Sequence, residues 1–200
     1  MRFMVKQSPV KLANNIKAFF HAHDRNDLME HCALVAEMAE KLALRFDLDQ
    51  GKAMVCGWAH DLGRVIPEEA MLDYCNYSFI NVLPVEQLFP SLLHQKISRK
   101  MAHEVFNITD EEMLDAIGLH TTLKYNAEEM SLLLLLADKL SWKDDDKKDF
   151  IVQVNQGLEI SLQYGAYAYL RHVFKRKEVL QVIHPWMLAA YYDLRDRCEG

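Results

Sequence analysis

The sequence predicts an all-α fold, and two observations support this class. Apolar residues recur at helical intervals along almost the whole chain, for example at Leu34, Val35, Met38 and Leu42. No stretch shows the sustained alternation of apolar and polar residues that is typical of a half-buried strand. We therefore expect a set of helices that bury their apolar faces against one another.

The periodic stretches end at residues that favour helix boundaries, and these residues divide the pattern into separate helices. Gly63 and Pro67 are expected to end the third helix. Ser91 can cap the fourth helix, and Thr109 with Glu112 forms a capping box for the fifth. The predicted helices are 10–20, 28–46, 51–60, 91–106, 110–120, 128–140, 149–175 and 185–197, the last preceded by His184 as its cap.

Two segments lack this helical spacing. Residues 74–90 contain Pro84 and Pro90, which favour a loop or short turns that cross the surface and could cover a site. Residues 141–149, with the sequence SWKDDDKKD, are predicted to be a polar connection. It would separate a core at 24–142 from a C-terminal helical extension at 149–198, within a single domain spanning 1–200.

Charge and cysteine content exclude several classes of function. A formal net charge of −6 argues against general affinity for nucleic acid, which needs a concentrated basic face. The cysteines are widely spaced and form no CxxC pair, so a disulfide framework or a thiolate zinc site is not indicated. These features, and a first segment without the pattern of a secretory signal, predict a cytoplasmic protein.

The longest purely apolar run covers residues 132–137 and is closed by Asp138 and Lys139. A membrane-spanning helix needs about 20 apolar residues. The run is therefore predicted to be part of a buried helix, and no membrane association is expected.

A series of histidines and aspartates predicts a metal site. Taken singly, each histidine is more simply interpreted as a core or surface residue. Together, they lie near helix ends or on apolar helical faces, where a buried polar group needs a partner. One shared metal site would satisfy all of them. The candidate ligands are His31, His60, Asp61, His94, His120 and Asp138.

The ligand types predict two divalent metal ions. Imidazole and carboxylate together suit Fe, Mn, Zn or Co, whereas calcium and magnesium sites are built from oxygen atoms. Asp61 follows His60 directly, and its two carboxylate oxygens could bridge two cations. Our hypothesis assigns His31, His60, Asp61 and Asp138 to the first ion, and His94, His120 and Asp61 to the second.

The order of these residues resembles the HD-domain metal-dependent phosphohydrolases. The local sequences are similar to the YqeK-like branch, the symmetrical diadenosine tetraphosphate hydrolases of bacteria. The matching segments are EHCALVAEMAEKLA, AHDLGR, LLH, AIGLHTT, LADKL and the C-terminal IHPWMLAAYYDL. The resemblance extends over residues 24–194. It implies a single-domain HD-type helical bundle with the metal site between helices.

The resemblance also implies an activity, namely cleavage of diadenosine tetraphosphate to two ADP with iron as the usual metal. Asp61 and Arg64 would then be catalytic residues. Arg64 stands where the family has a lysine, and it is expected to bind a phosphate oxygen or the leaving group. The alternative for Arg64 is a surface ion pair with Glu68 or Glu69.

Thr121 and Thr122 could bind a phosphate or simply cap backbone groups. Some positions depart from the family: Leu28 replaces a basic residue, Gln95 replaces a glycine, and Ser141, Trp142 and Lys143 replace the usual Glu-Pro motif. Two other functions therefore stay open, an HD nucleotidase that acts on mononucleotides or deoxynucleotides, and a catalytically weak nucleotide-binding sensor. A nucleotide is the expected partner in each case, and the oligomeric state is left open, a homodimer included.

Overall fold

The computed structural model describes residues 8–142, 148–176 and 182–200, so Lys143 lies outside the described residues. The all-α class is confirmed, because the described residues contain helices and no strand. Two short 3-10 helices, Leu62–Val65 and Pro90–Leu93, adjoin the α-helices. The α-helices are α1 (Pro9–Ala22), α2 (Asn26–Arg45), α3 (Gln50–Ala59), α4 (Glu68–Tyr77), α5 (Pro84–Leu88), α6 (His94–Glu104), α7 (Glu111–Leu119), α8 (Glu129–Leu140), α9 (Lys148–Leu158), α10 (Leu162–Lys175) and α11 (Pro185–Glu199).

Helix α8 lies at the centre of the fold. The leucines at positions 132–136 are at most 1% exposed, and α8 packs against α2, α3, α7 and α10. A helix that is apolar on all sides is stable only when its neighbours cover it. Each buried leucine contributes about 1.5–3 kcal/mol relative to an exposed one, so α8 fixes the positions of the surrounding helices. None of the described helices is both long and apolar enough to cross a membrane.

Two predicted caps are wrong by a few residues. Ser91 does not cap α6, because it lies inside the 3-10 helix Pro90–Leu93 and α6 begins directly afterwards at His94. Thr109 does not cap α7, because Asp110 supplies the cap instead. The Asp110 carboxylate accepts a hydrogen bond from the backbone N–H of Met113 at 3.3 Å, which is what an N-cap side chain does.

The prediction of an irregular segment at 74–90 is wrong for residues 74–77, which belong to α4. Glu68 and Glu69 lie in the first turn of this helix, where acidic side chains are favourable, and Met71 and Cys75 form its buried face. Residues 78–83 are irregular, and α5 is a short helix that begins at Pro84. The prolines therefore mark helix starts as well as turns.

The predicted helix at 149–175 is wrong because the chain forms two helices there, α9 and α10. Ser161 caps α10 by accepting from the backbone N–H of Tyr164 at 3.3 Å. A Cβ atom at Gly157 would lie only 2.6 Å from the carbonyl oxygen of Tyr164. Glycine at this position therefore allows α9 and α10 to approach closely as a helical hairpin.

The last helix begins as predicted. The ring of His184 accepts a hydrogen bond from the backbone N–H of Trp186 at 3.1 Å, which confirms His184 as the cap of α11. The other ring nitrogen of His184 lies 3.2 Å from the carboxylate of Glu86, which is fully buried. This contact joins α11 to α5, and the ammonium of Lys96 in α6 completes the cluster at 2.6 Å from Glu86.

Candidate metal centre

Helix ends bring the candidate ligands together between α2, α3, α6, α7 and α8. His60 and His120 directly follow the last residues of α3 and α7, and His94 is the first residue of α6. His31 and Asp138 project from α2 and α8, and the ring of His31 is the more exposed of these two side chains. Five helices therefore contribute to one cluster, although its members are spread over about half of the sequence.

One half of the cluster groups His31, His60, Asp61 and Asp138. The Nε2 atom of His31 lies 3.2 Å from Oδ1 of Asp138 and 4.0 Å from Oδ2 of Asp61. The Nε2 atom of His60 lies 3.6 Å from Oδ2 of Asp61 and 3.9 Å from Oδ1 of Asp138. The donor atoms of His31, His60 and Asp61 lie close enough together to surround a single cation, and Oδ1 of Asp138 lies beside the two histidines.

The other half groups His94 and His120 around the same aspartate. The Nε2 atoms of both rings lie 3.6 Å from Oδ1 of Asp61, and they are 3.0 Å from each other. Asp61 thus presents Oδ2 to the first group and Oδ1 to the second. This is the arrangement expected of a carboxylate that bridges two metal ions.

The backbone fixes which nitrogen of each buried histidine can bind metal. Each ring donates from Nδ1 to the carbonyl oxygen three residues earlier: His60 to Gly57 at 2.8 Å, His94 to Ser91 at 2.5 Å, and His120 to Ile117 at 2.8 Å. A carbonyl oxygen only accepts hydrogen bonds, so Nδ1 carries the proton and Nε2 carries the lone pair. Such backbone contacts orient metal-binding histidines in general.

The buried ring nitrogen atoms indicate that a cation fits this cluster. The Nε2 atom of His60 is buried and has no hydrogen-bond partner among the described residues. The Nε2 atoms of His94 and His120 lie 3.0 Å apart, and with the proton of each ring on Nδ1 neither can donate to the other. Arg64 and Thr121 lie 3.2 Å from Nε2 of His94, whereas the buried Nε2 of His60 has no such partner, which is unfavourable until a cation binds.

The protonation states also suit metal binding. Burial lowers the pKa of His60 to about 4, and burial together with the nearby Arg64 lowers the pKa of His94 to about 3. Burial alone would raise the pKa of Asp61, but His60, His120 and Arg64 outweigh it and hold that pKa well below its ordinary value. His60 and His94 are therefore neutral and Asp61 is ionised at neutral pH, as metal ligands require.

The carboxylate of Asp138 has two further contacts that the sequence analysis did not identify. The ammonium of Lys139 lies 2.5 Å from Oδ2, and the indole Nε1 of Trp142 donates to Oδ1 at 3.2 Å. Burial would lower the pKa of Lys139, but Asp138 and Tyr169 raise it above its ordinary value, so the ammonium is charged. The sequence signal for the contact with Lys139 was that this lysine directly follows Asp138 near the end of a largely apolar helix.

Gly63 allows the segment that follows Asp61 to pack directly on α6. A Cβ atom at this position would lie 2.3 Å from the carbonyl oxygen of His94. The backbone N–H of Gly63 also donates to the hydroxyl of Ser98 at 2.8 Å. This close approach sets the position of Asp61 relative to His94, so the glycine is required by the geometry of the site.

Arg64 lies at the exposed edge of the cluster, with 42% of its side chain accessible. Its Nε donates to Oδ1 of Asp61 at 2.8 Å, and its Nη2 donates to Nε2 of His94 at 3.2 Å. Its ion pair is therefore with Asp61 rather than with Glu68 or Glu69, the alternative considered from the sequence. The backbone carbonyl of Arg64 accepts a hydrogen bond from Arg25.

Thr121 and Thr122 differ in their access to the site. The hydroxyl of Thr121 lies 3.2 Å from Nε2 of His94, whereas Thr122 is fully buried and bonds to Gln95 at 3.2 Å. The amide oxygen of Gln95 also accepts from the backbone N–H of Thr121 at 3.2 Å. Gln95 therefore orders the chain that follows His120, and Thr121 is the threonine that faces the ligands.

Comparison with known proteins identifies the family of this site. The model of the HD domain matches residues 28–143, which is more than half of the chain and includes every candidate ligand. The chain belongs to the HD domain family. HD domains bind divalent metals, and this chain has a cluster of histidines and aspartates that could hold such an ion.

Relatives of this HD domain protein include one of similar length and two longer ones. An uncharacterized protein in the pepC 5' region of Lactococcus lactis subsp. cremoris is 38% identical over 75% of this chain and 76% of its own. Proteins of Mycoplasma genitalium and Mycoplasma pneumoniae, each named probable nicotinate-nucleotide adenylyltransferase/Ap4A hydrolase, are 27% and 25% identical over 56% of this chain. These matches span 31% of each Mycoplasma protein.

A solved structure supports the fold. It belongs to a predicted HD superfamily hydrolase involved in NAD metabolism from Clostridium acetobutylicum. The TM-score is 0.82 at 21% identity, over 92% of this chain and 97% of that one. At this identity, the likeness concerns the helical architecture.

Proposed function

We propose that this HD domain protein is a phosphohydrolase that cleaves the phosphoanhydride chain of dinucleoside polyphosphates, converting diadenosine tetraphosphate to two ADP. The observation that carries the proposal is the position of Asp61, whose two oxygens belong to the two ligand groups. A pair of cations around one carboxylate is suited to hydrolysis of phosphate bonds. Iron is the proposed metal, with Mn, Zn or Co as ions that the same ligands accept.

The first ion would be held by His31, His60, Asp61 and Asp138, and the second by His94, His120 and Asp61. When bound, the ions supply an activated water and offset the charge that develops on the phosphate oxygens. The protein contributes rings whose Nδ1 atoms are fixed by the backbone, so little reorganisation is needed when the site is filled.

Arg64 is the proposed phosphate-binding residue. Its guanidinium contacts Asp61 and His94 and is still accessible, so a phosphate oxygen bound at the cluster would lie within its reach. Arginine can donate two parallel hydrogen bonds to phosphate, which a lysine cannot do. The hydroxyl of Thr121 is proposed as a second contact, whereas the buried Thr122 is assigned to the support of Gln95.

Two lines of support favour a dinucleotide over other nucleotides. The Mycoplasma relatives carry Ap4A hydrolase in their names, and they are similar to this chain over 56% of its length. The sequence resemblance to symmetrical diadenosine tetraphosphate hydrolases includes the C-terminal segment IHPW, whose histidine joins α11 to Glu86.

The chain is also proposed to be a single domain. One cluster of buried residues, from Leu12 to Leu194, supports this assignment.

The deciding experiment is product analysis. Purified protein loaded anaerobically with ferrous iron or Mn²⁺ is incubated with diadenosine tetraphosphate, and the products are separated by chromatography. ADP as the sole product supports the proposal. A mixture of AMP and ATP, or rapid hydrolysis of a mononucleotide without turnover of the dinucleotide, contradicts it and favours an HD nucleotidase. Tight nucleotide binding without any turnover would favour a binding module.

A further inference from the structure

The carboxylate of Asp138 is held on both oxygens by residues outside the ligand set. Oδ2 lies 2.5 Å from the ammonium of Lys139, and Oδ1 accepts from the indole of Trp142 at 3.2 Å. The remaining neighbours of Oδ1 are the metal-binding nitrogens of His31 and His60, at 3.2 and 3.9 Å. Oδ1 therefore faces the cluster, and Oδ2 faces away from it.

Lys139 and Trp142 also hold each other in place. Lys139 is only 5% exposed, and its ammonium lies 4.4 Å from the centre of the Trp142 ring. A buried ammonium over an indole face gains a cation–π attraction, and its ion pair with Asp138 compensates for the loss of water. Trp142 directly follows Ser141, the C-cap residue of α8, and its indole reaches the carboxylate of Asp138 in the last turn of that helix.

We propose that Lys139 and Trp142 are positioning residues that make Asp138 a ligand through one oxygen, Oδ1, for the ion held with His31 and His60. Lys139 occupies Oδ2 and prevents both oxygens from binding one cation. Trp142 orients Oδ1 by donating a hydrogen bond to it from the indole N–H. This inference rests on the metal centre of the proposed function, but it concerns the affinity of one ion rather than the substrate.

Because Lys139 and Trp142 lie beside one ligand group only, we expect the loss of either side chain to weaken the binding of one ion and not of the other. Lys139 and Trp142 contact Asp138, whose ion-pair contacts with the candidate ligands are those with His31 and His60. Asp61, His94 and His120 would hold the second ion through contacts that involve neither residue. Loss of a residue that supports a metal ligand typically weakens metal binding by about 10–100-fold.

The test is a Mn²⁺ titration of the full chain by isothermal calorimetry, comparing the original protein with Trp142→Phe. This substitution keeps an aromatic ring over Lys139 and removes the N–H donor. We expect one of the two Mn²⁺ sites to weaken by about tenfold or more and the other to be unchanged. Thermal unfolding of the metal-free proteins is measured in parallel, and the two midpoints are expected to agree.

Trp186→Phe is the matched control, because Trp186 also lies under a lysine, with Lys96 at 4.6 Å from its ring centre. This variant should bind Mn²⁺ as the original protein does. Unchanged Mn²⁺ binding in Trp142→Phe would overturn the inference. Equal weakening of both Mn²⁺ sites, together with a lower unfolding midpoint, would also overturn it, because that result indicates a purely structural role for Trp142. If the original protein binds no Mn²⁺ or ferrous iron, the metal centre itself is overturned, and this inference with it.

Discussion

The Nε2 atoms of His94 and His120 are 3.0 Å apart, although both rings donate from Nδ1 to backbone carbonyls. With the proton of each ring on Nδ1, neither Nε2 atom can donate to the other, whereas a cation could bind to both. Binding of Mn²⁺ is therefore expected to stabilise the fold. At a free concentration of one hundred times the dissociation constant, the free energy of unfolding should rise by about 2.7 kcal/mol for one site, as measured by thermal unfolding with and without a chelator.

Variants of two histidines separate this effect from general ion binding. His120→Ala removes one member of the facing pair, so the stabilisation by Mn²⁺ should become smaller than in the original protein. His103→Ala serves as the control, because His103 is exposed near the end of α6, and it should keep the full stabilisation. An undiminished metal effect in His120→Ala would contradict the assignment.

Asp61→Ala is expected to remove both ions, because each oxygen of this carboxylate serves a different ligand group. His31→Ala should remove only the first ion, because His31 belongs to the first ligand group and not to the second. Metal content per chain, measured by mass spectrometry after anaerobic purification, checks both variants. Retention of one full equivalent of metal, or of activity, by Asp61→Ala would show that Asp61 is not a bridge.

The candidate ligands could be selected from the sequence because each combines a side chain that can bind metal with a helix end or an apolar helical face. The structure brings all of them together, from His31 to Asp138. Helix boundaries were less predictable. Helix α6 begins directly after a 3-10 helix that contains Ser91 and has no side-chain cap. At α7, Asp110 is the cap instead of the neighbouring Thr109, because its carboxylate reaches the N–H of Met113.

Contacts between elements that are distant in the chain could not be predicted from the sequence. The pairing of Glu86 with His184 joins residues that are 98 positions apart, and no local pattern predicts it. The break between α9 and α10 depends on how closely Gly157 approaches Tyr164, which is a property of the folded hairpin. In the sequence, Lys139 only closes an apolar run and Trp142 only departs from the family motif. Their contacts could not be predicted without the position of the Asp138 carboxylate.

Gly63→Ala is expected to damage the metal centre, because its Cβ would lie 2.3 Å from the carbonyl oxygen of His94. Relief of this clash must separate the Asp61 segment from α6, at a cost of about 1–3 kcal/mol in the free energy of unfolding. Urea unfolding and metal content provide the measurements. Gly118→Ala is the control: its Cβ would meet Arg99 Cδ at 3.0 Å, a flexible side-chain atom, and alanine favours a helix. Equal losses in both variants would contradict the special role of Gly63.

The cluster of Glu86, His184 and Lys96 predicts a loss of stability in acid. Burial alone would raise the pKa of Glu86, but hydrogen bonds from His184, the backbone N–H of Leu83 and Lys96 lower it below its ordinary value of 4.5. The unfolded chain therefore binds this proton more tightly than the folded chain does. The stabilisation by Glu86 is complete above about pH 4.5 and is lost as the pH falls through the lower, folded-state pKa.

Comparison with Glu86→Gln isolates this contribution. At neutral pH the variant should be less stable by about 1–3 kcal/mol, because Lys96 loses a charged partner. The difference should shrink as the pH falls below about 4.5, since protonation removes the same charge from the original protein. Urea unfolding across this range measures it, with the exposed Glu69→Gln as control. A difference that stays constant with pH would contradict the prediction.

Arg64→Gln tests the proposed phosphate contact. The loss of a charge-assisted hydrogen bond is worth about 1.5–3 kcal/mol, so kcat/KM for diadenosine tetraphosphate should fall by about 10–100-fold. Mn²⁺ binding should persist, because the guanidinium is at the exposed edge of the cluster and belongs to neither ligand group. Arg64→Lys keeps the charge and loses the planar fork, so it should recover part of the activity. Steady-state kinetics at saturating metal provide the measurement, and equal kcat/KM in Arg64→Gln and the original protein would assign Arg64 to the support of Asp61 alone.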